Sequence, residues 1–420
     1  MAKSDVALPD DPLANVAVHT LYGLGGLIGL SVGILNPIIS ILLERRGTHH
    51  VLIGANASVF FLCVAVLAPL VGRQLRQVGL RRTLSVGLLA YAVAAILFPW
   101  LEEPMLWFGL RGLMGIGMAC TMIGAQTGLS AFAGFQRRAL VNGIYGLCFG
   151  VGLAVGPILG SYLYGYSIYL PFLACGVFLL QGAGLTLIGL PANRTFTANR
   201  PRMNLVPYLA IPVLAVLAYG FAEATLLSMY PVFLVHAGLS PAAVAQRLGA
   251  FVVGGLVGTL PICYFGDRFG HKRLLLCCAV AGILALCGIT EGDRVAAGVN
   301  DYLAQLGVSG PSISTEIVDF AAAFSTGFSL GPVFGLALAL LASVLPRADL
   351  PSGSALFTAA FSIGSAAGPG LSSWMMSRWG DAYLFVPTLM MFGLLIAAQC
   401  LMWLRKTCVS KWGSYVSRFS

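Results

Sequence analysis

The chain has 420 residues, of which 58% are hydrophobic and only 9% charged, and its mean hydropathy of +0.89 excludes a water-soluble fold of this size. The formal net charge of +9 then has to be explained by where the basic residues lie, and a nucleic-acid partner is not expected.

A spanning helix needs about 20 mostly apolar residues. Runs of that kind fall near 17–43, 51–72, 80–101, 104–127, 139–165 and 167–190, and again near 205–235, 242–265, 271–290, 317–345, 352–376 and 382–404. They are too long for the roughly 10-residue alternating strands of a membrane barrel. The expected fold is an all-α polytopic membrane protein with twelve transmembrane helices in two six-helix bundles, embedded in a lipid bilayer.

The first residues, MAKSDVALPDDPLAN, are polar and acidic, so no cleavable signal peptide is expected and the first helix acts as the targeting element. With the N-terminus cytoplasmic, eighteen Lys and Arg fall inside, five outside, and one, Arg111, within a helix. That bias is the positive-inside rule, and it implies a cell (inner or plasma) membrane protein with both termini cytoplasmic. Nine of the ten cysteines lie in or at the ends of apolar runs without metal-binding spacing, so they read as buried small hydrophobes, and no metal site is expected.

The loop after the second helix, GRQLRQVGLRR (Gly72 to Arg82), returns after the eighth as CYFGDRFGHKR (Cys263 to Arg273), at an offset of 191 (270 minus 79). A second pair, GLAVGPILG (Gly152 to Gly160) and GSAAGPGLS (Gly364 to Ser372), is offset by 212 (368 minus 156). The 21-residue slip matches an acidic, Ser/Gly-bearing stretch between the ninth and tenth helices. The expected organisation is a tail (1–16), a six-helix bundle (17–190), a linker (191–204), a second bundle (205–405) with an external insertion at about 291–316, and a second tail (406–420). Two parallel six-helix halves are a transporter architecture with the binding site at their interface.

These motifs resemble those of the major facilitator superfamily, over essentially all twelve helices. Its loop motif, GxxxD(R/K)xGR(R/K), is matched by Gly72, Gly79, Arg81 and Arg82 in the first half and by Asp267, Arg268, Gly270, Lys272 and Arg273 in the second. Arg76 departs from it, standing where the family usually has aspartate. The RxxxGxG of the fourth helix is present as Arg111 to Gly117. The fifth-helix GxxxGPxxG is present as Gly152, Gly156, Pro157 and Gly160, echoed by Gly364, Gly368 and Pro369; its glycines let helices pack closely. The five histidines lack the convergent spacing of a catalytic site, so no enzymatic activity is expected; this last motif is most typical of drug-type proton antiporters, implying export. In that family the loop aspartate of one half helps hold the cytoplasmic gate against the other. With Arg76 in its place, the expected gate pairs Arg76 with Asp349, and Asp267 with Arg137 or Arg138; the alternative is that Arg76 is one more positive-inside charge.

Arg111 and Glu223 are the two strongly ionisable residues well inside the spans, which marks both as functional candidates. Glu223 is expected to couple protons, with Arg111 modulating it or meeting an anionic group; the alternative is packing and hydrogen bonding alone. Asn36, Gln126, Tyr230 and Thr326 are candidate cavity residues, with Asn36 and Tyr230 each just before a proline; the alternative for each is helix–helix hydrogen bonding. His19 reads as interfacial, and His49 and His50 as residues of an external loop. A cavity so poor in charge suits a small amphipathic organic substrate. The expected protein is a monomeric secondary transporter, using the proton gradient and no cofactor. Uptake by symport or facilitated diffusion, and a transport-inactive receptor, stay open.

Overall fold

Without water in the hydrocarbon region, backbone N–H and C=O groups must be satisfied within the segment, which favours helices. The computed structural model describes residues 12–132, 138–192, 209–305, 314–345 and 350–416, and those residues form helices with no strand. In chain order they are α1 Pro12–Arg45, α2 His50–Gln77, α3 Leu80–Leu97, α4 Pro104–Phe132, α5 Arg138–Tyr166, α6 Leu170–Gly189, α7 Ala210–Ser228 and α8 Tyr230–His236. There follow α9 Pro241–Phe269, α10 His271–Thr290, α11 Gly292–Gln305, α12 Thr315–Val344, α13 Leu350–Trp379 and α14 Val386–Val416. Eleven described helices are long and apolar enough to cross a bilayer. The twelfth pass is α13, a 30-residue helix whose serines lower its hydropathy. It packs against α2 and α7, with Ser362, Ser365, Ser372 and Ser373 buried and Ile363, Leu371 and Trp374 exposed.

The seventh pass is broken, where one helix was expected. Pro231 supplies no N–H to the preceding turn, so the ladder interrupts at Met229 and α8 starts afresh. Pro37, by contrast, is absorbed within α1, which runs through to Arg45. The stretch expected as an insertion carries α11, joined at its start by the Arg294–Glu291 pair at 2.5 Å. The linker from 193 onward lies outside the described residues.

The loop glycines have a backbone reason. Gly79 and Gly270, equivalent across the two halves, sit at φ +85° and +95°, the left-handed region that glycine enters without steric cost. Each lets a helix end and its successor start within one or two residues.

The fifth-helix motif and its echo do the same job in the two halves. α5 lies on α1, and α13 lies on α7. A Cβ added at Gly156 would stand 2.6 Å from the Cα of Gly33, and one at Gly160 3.1 Å from Ile34; Cβ atoms at Gly364 and Gly368 would strike the carbonyls of Leu217 and Phe221. The neighbouring motif positions turn the other way and join the halves. Ile158 of α5 reaches Gly249 of α9 (3.5 Å from its notional Cβ), and the Pro369 carbonyl of α13 abuts Gly54 of α2.

Burial of the cysteines is only partial. Cys120, Cys175 and Cys278 are buried, while Cys277 and Cys400 are exposed, because an apolar helix that faces lipid need not bury its small hydrophobes inside the chain.

Overpacking by one side chain typically costs about 1–3 kcal/mol. We expect Gly156→Leu to lower the melting temperature of the detergent-purified protein by several degrees. Gly165→Ala, where nothing lies within 4 Å of an added Cβ, should leave it unchanged. Equal melting of the two variants would remove the close-approach role.

Candidate functional site

Two polar centres lie within the spans, one in each half. In the first, Arg111 of α4 is 1% exposed. Its Nε donates to Asn56 Oδ1 of α2 and its Nη1 to Asn36 Oδ1 of α1, both at 2.9 Å. The guanidinium carbon stands 5.6 Å from the centroid of the Phe60 ring, which in turn lies 6.2 Å from that of Tyr91 of α3. A guanidinium has only donors, so the two amide oxygens must face it. That leaves both amide nitrogens, Asn36 Nδ2 and Asn56 Nδ2, buried without a partner. Asn36 was legible as a polar residue beside a proline; Asn56 was missed, and its one signal was an amide within the apolar run of α2.

In the second centre, Glu223 of α7 is partly exposed, on a helix two thirds of which is buried. Tyr219, one turn earlier, donates its hydroxyl to Glu223 Oε1 at 3.2 Å. The Tyr219 ring stands 6.0 Å from Phe334 of α12 and 6.2 Å from Phe361 of α13, and Phe334 also meets Phe357 at 5.2 Å. The carboxylate therefore borders an aromatic wall drawn from three helices. Among the described residues no hydrogen bond or ion pair joins Arg111 to Glu223.

The remaining candidates are dispersed. Thr326 is buried and donates to the Ala322 carbonyl of its own helix at 2.8 Å. Tyr230 is fully buried against Phe233 and Phe385, with its hydroxyl lacking a partner. Gln126 is partly buried on α4. His19 is exposed and bonds the Asn15 carbonyl. A third buried charge was counted among the outer-side basic residues: Arg247, seven residues into α9 and 7% exposed, stands 3.9 Å from Asp319 of α12.

At the loop motifs, Arg76 is exposed on the last turn of α2, and Arg82 and Arg268 are exposed as well. Asp267, with 78% of its side chain exposed, is joined to His271 at 3.1 Å. Asp349 and Arg137 lie outside the described residues, as does the Arg138 side chain.

At the opposite end, away from the termini, the halves are joined by polar side chains. Glu44, at the end of α1, stands 2.6 Å from His236 Nε2 at the end of α8. His236 Nδ1 bonds Asp381 Oδ2 at 3.0 Å, and His49 bonds Ser377 of α13 at 3.3 Å. His236 lies beyond the span, where burial pulls its pKa down; the hydrogen bonds to Glu44 and Asp381, and their charges, outweigh that and raise it overall. His49 and His50, expected as residues of an external loop, stand at the junction of the halves. Among the described residues, hydrogen bonds between side chains of different halves occur at this end and join the halves there.

The chain matches the Major Facilitator Superfamily twice, over residues 21–211 and 212–411. It is similar to an uncharacterized MFS-type transporter of Bacillus subtilis (strain 168), YfkF, with 28% identity over 368 residues, covering 85% of this chain and 88% of that protein. It is also similar to Multidrug resistance protein 1 of the same organism, with 23% identity over 256 residues, covering 59% of this chain and 66% of that one. Among solved structures it resembles a bacterial homolog of the human lysosomal transporter Spinster, in an inward-facing and unoccupied conformation, with a TM-score of 0.71, 13% identity, and 93% and 97% of the two chains covered. Repeated matching over both halves, on a fold of twelve passes, places this chain in the major facilitator superfamily, as a transporter.

Proposed function

We propose that this transporter exports a small amphipathic organic molecule by alternating access, in exchange for protons carried on Glu223. The observation that carries the reading is a carboxylate within a span, held by one tyrosine hydroxyl beside rings from α7, α12 and α13. A proton bound there removes the cost of holding a charge away from bulk water, and the aromatic wall gives an apolar or cationic ligand a surface that does not depend on a specific hydrogen-bond pattern. Proton and ligand then compete for one place, which is the requirement for exchange. Similarity to a protein named for multidrug resistance supports export over uptake.

Exposed Arg76, Arg82 and Arg268, with Arg73, Lys272 and Arg273 beside them in sequence, gather basic charge at the face that holds the termini. This supports a cytoplasmic placement of both termini and an inward-facing structure in a cell membrane, since the opposite face is the one where side chains join the halves.

Arg111 acts differently in this reading. Its two amide partners come from α1 and α2, so it fixes those helices to α4 and keeps the first half rigid while it rocks against the second.

Reconstituted into liposomes with an imposed pH gradient and screened with amphipathic cations, the wild-type protein should accumulate a substrate against its gradient. Glu223→Gln should lose gradient-driven accumulation while keeping downhill exchange. Unchanged gradient-driven transport in Glu223→Gln would overturn the coupling role, and accumulation with the pH gradient reversed would overturn export.

A buried donor stripped of its acceptor costs about 1–3 kcal/mol. Asn36→Ala and Asn56→Ala should therefore each lower the melting temperature measurably, and their combination should be less than additive, because both release the same guanidinium. Wild-type melting in both single variants would show that the amides do not hold Arg111.

A further inference from the structure

The polar cluster that ties the halves together has a composition that ordinary hydrogen bonding leaves incomplete. Glu44 closes α1, His50 opens α2, His236 ends α8, and Asp381 begins the turn before α14. Each of Glu44, His50 and His236 offers one ligand atom, and the three atoms lie within 4.8 Å of one another. His50 Nε2 is 3.7 Å from Glu44 Oε2, and His236 Nε2 is 2.6 Å from Glu44 Oε1. The two imidazole centroids are 4.7 Å apart.

We infer that Glu44, His50 and His236 form a site for a divalent cation of the zinc class that clasps the two halves at the face opposite the termini, with Asp381 orienting His236.

Four observations carry this. Ligand atoms of a tetrahedral zinc site, with bonds of about 2.0–2.2 Å, stand about 3.3–3.5 Å apart. The short Glu44–His236 contact needs to open, and the wider separations to close, by about an ångström, which side-chain torsions supply. Next, Glu44 Oε2 is buried and has no hydrogen-bond partner, so a carboxylate oxygen stands 3.7 Å from His50 Nε2 with its acceptor capacity unused.

The third observation is the orientation of His236. Its Nδ1 bonds a carboxylate, Asp381, at 3.0 Å, the carboxylate–histidine–metal arrangement that fixes the tautomer and leaves Nε2 free to ligate. On binding, the proton now shared between His236 Nε2 and Glu44 leaves to solvent, as ligation requires, and the cation takes its place between the same two atoms. Last, the charges match. Two carboxylates balance one divalent cation, and the neighbouring arginines are engaged elsewhere: Arg45 with the Tyr164 hydroxyl, Arg46 with the carbonyls of Leu101 and Pro99.

Two imidazoles and one carboxylate select zinc or a similar transition metal over calcium or magnesium, which favour all-oxygen shells. Glu44 and His50 belong to the first half and His236 to the second, so the face cannot open without breaking the shell. Bound cation holds this face closed and slows the cycle.

The test uses the full chain, purified with its affinity tag removed and stripped with a chelator. Calorimetry should find one zinc per chain, and cobalt in its place should give the visible absorption of a tetrahedral site. His236→Ala and His50→Gln should each bind zinc at least about 100-fold more weakly, and Asp381→Asn about 10–100-fold more weakly. At free zinc ten times the dissociation constant, amide exchange that requires the halves to part, read over residues 40–52 and 230–240, should slow about tenfold, and this slowing should vanish in His50→Gln. Matching melting curves establish that a variant is folded; if His236→Ala is not, His50→Gln decides. Undiminished zinc binding by a folded variant, no zinc bound by the wild type, or zinc binding without slowed exchange would each overturn the clasp.

Discussion

Close backbone contact between α1 and α5, and its counterpart between α7 and α13, is the constraint on which the rest of this transporter is built. Gly156 and Gly33 bring two helices together with no side chain between them, and Gly364 and Gly368 do so against Leu217 and Phe221. Within a bilayer, apolar side chains gain little by leaving lipid for one another, so such approach supplies the van der Waals contact that holds helices in register. The helices it fixes are the ones that carry the chemistry. α1 bears Asn36 and ends at Glu44; α7 bears Tyr219 and Glu223 and continues through α8 to His236.

The halves are alike in backbone and opposite in chemistry. The same glycine spacing, the same positive-φ turn and the same pairing of helices recur. The first half, however, holds a cation among amides, and the second an acid beside a tyrosine and phenylalanines. In the first, every guanidinium bond found is to a neutral oxygen, which makes a stiff hub out of three helices. In the second, one hydroxyl holds the carboxylate, an arrangement that can exchange a proton without dismantling the half around it. Pseudo-symmetry supplies the motion; the departure from symmetry supplies the direction of the chemistry.

What could be read from the amino-acid sequence divides along the range of the interaction. Gly79, Gly270, Gly156 and Gly368 answer local demands of the backbone or of a neighbouring helix, and their spacing repeats between the halves, so they were legible. So were Arg111 and Glu223, whose charge stands out in an apolar run. The break at Met229 was not, because Pro37 and Pro231 stand in similar sequence and only one interrupts its helix. Arg247 escaped notice because it lies in the first two turns of α9, where sequence alone does not separate a loop-side charge from a buried one. Least legible was the cluster at the closed face: Glu44 and His236 are separated by 192 residues and His236 and Asp381 by 145, and no spacing rule reaches that far.

The geometry of these long helices also relates the closed face to the two polar centres within the spans. Asn36 and Glu44 lie eight residues apart on one unbroken helix, about 12 Å at the rise of an α-helix, so the hub around Arg111 and the end of α1 move as one piece. On the other side Glu223 and His236 are separated by the interruption at Met229, and the end of the seventh pass is a short helix with its own start. A rocking half therefore meets a rigid strut on one side and a jointed one on the other. Partly exposed pairs such as Glu44 with His236 are worth little singly, about 0–1 kcal/mol, and that modest hold is what alternating access requires: a face tied more strongly would work against the differential binding of a substrate and open more slowly.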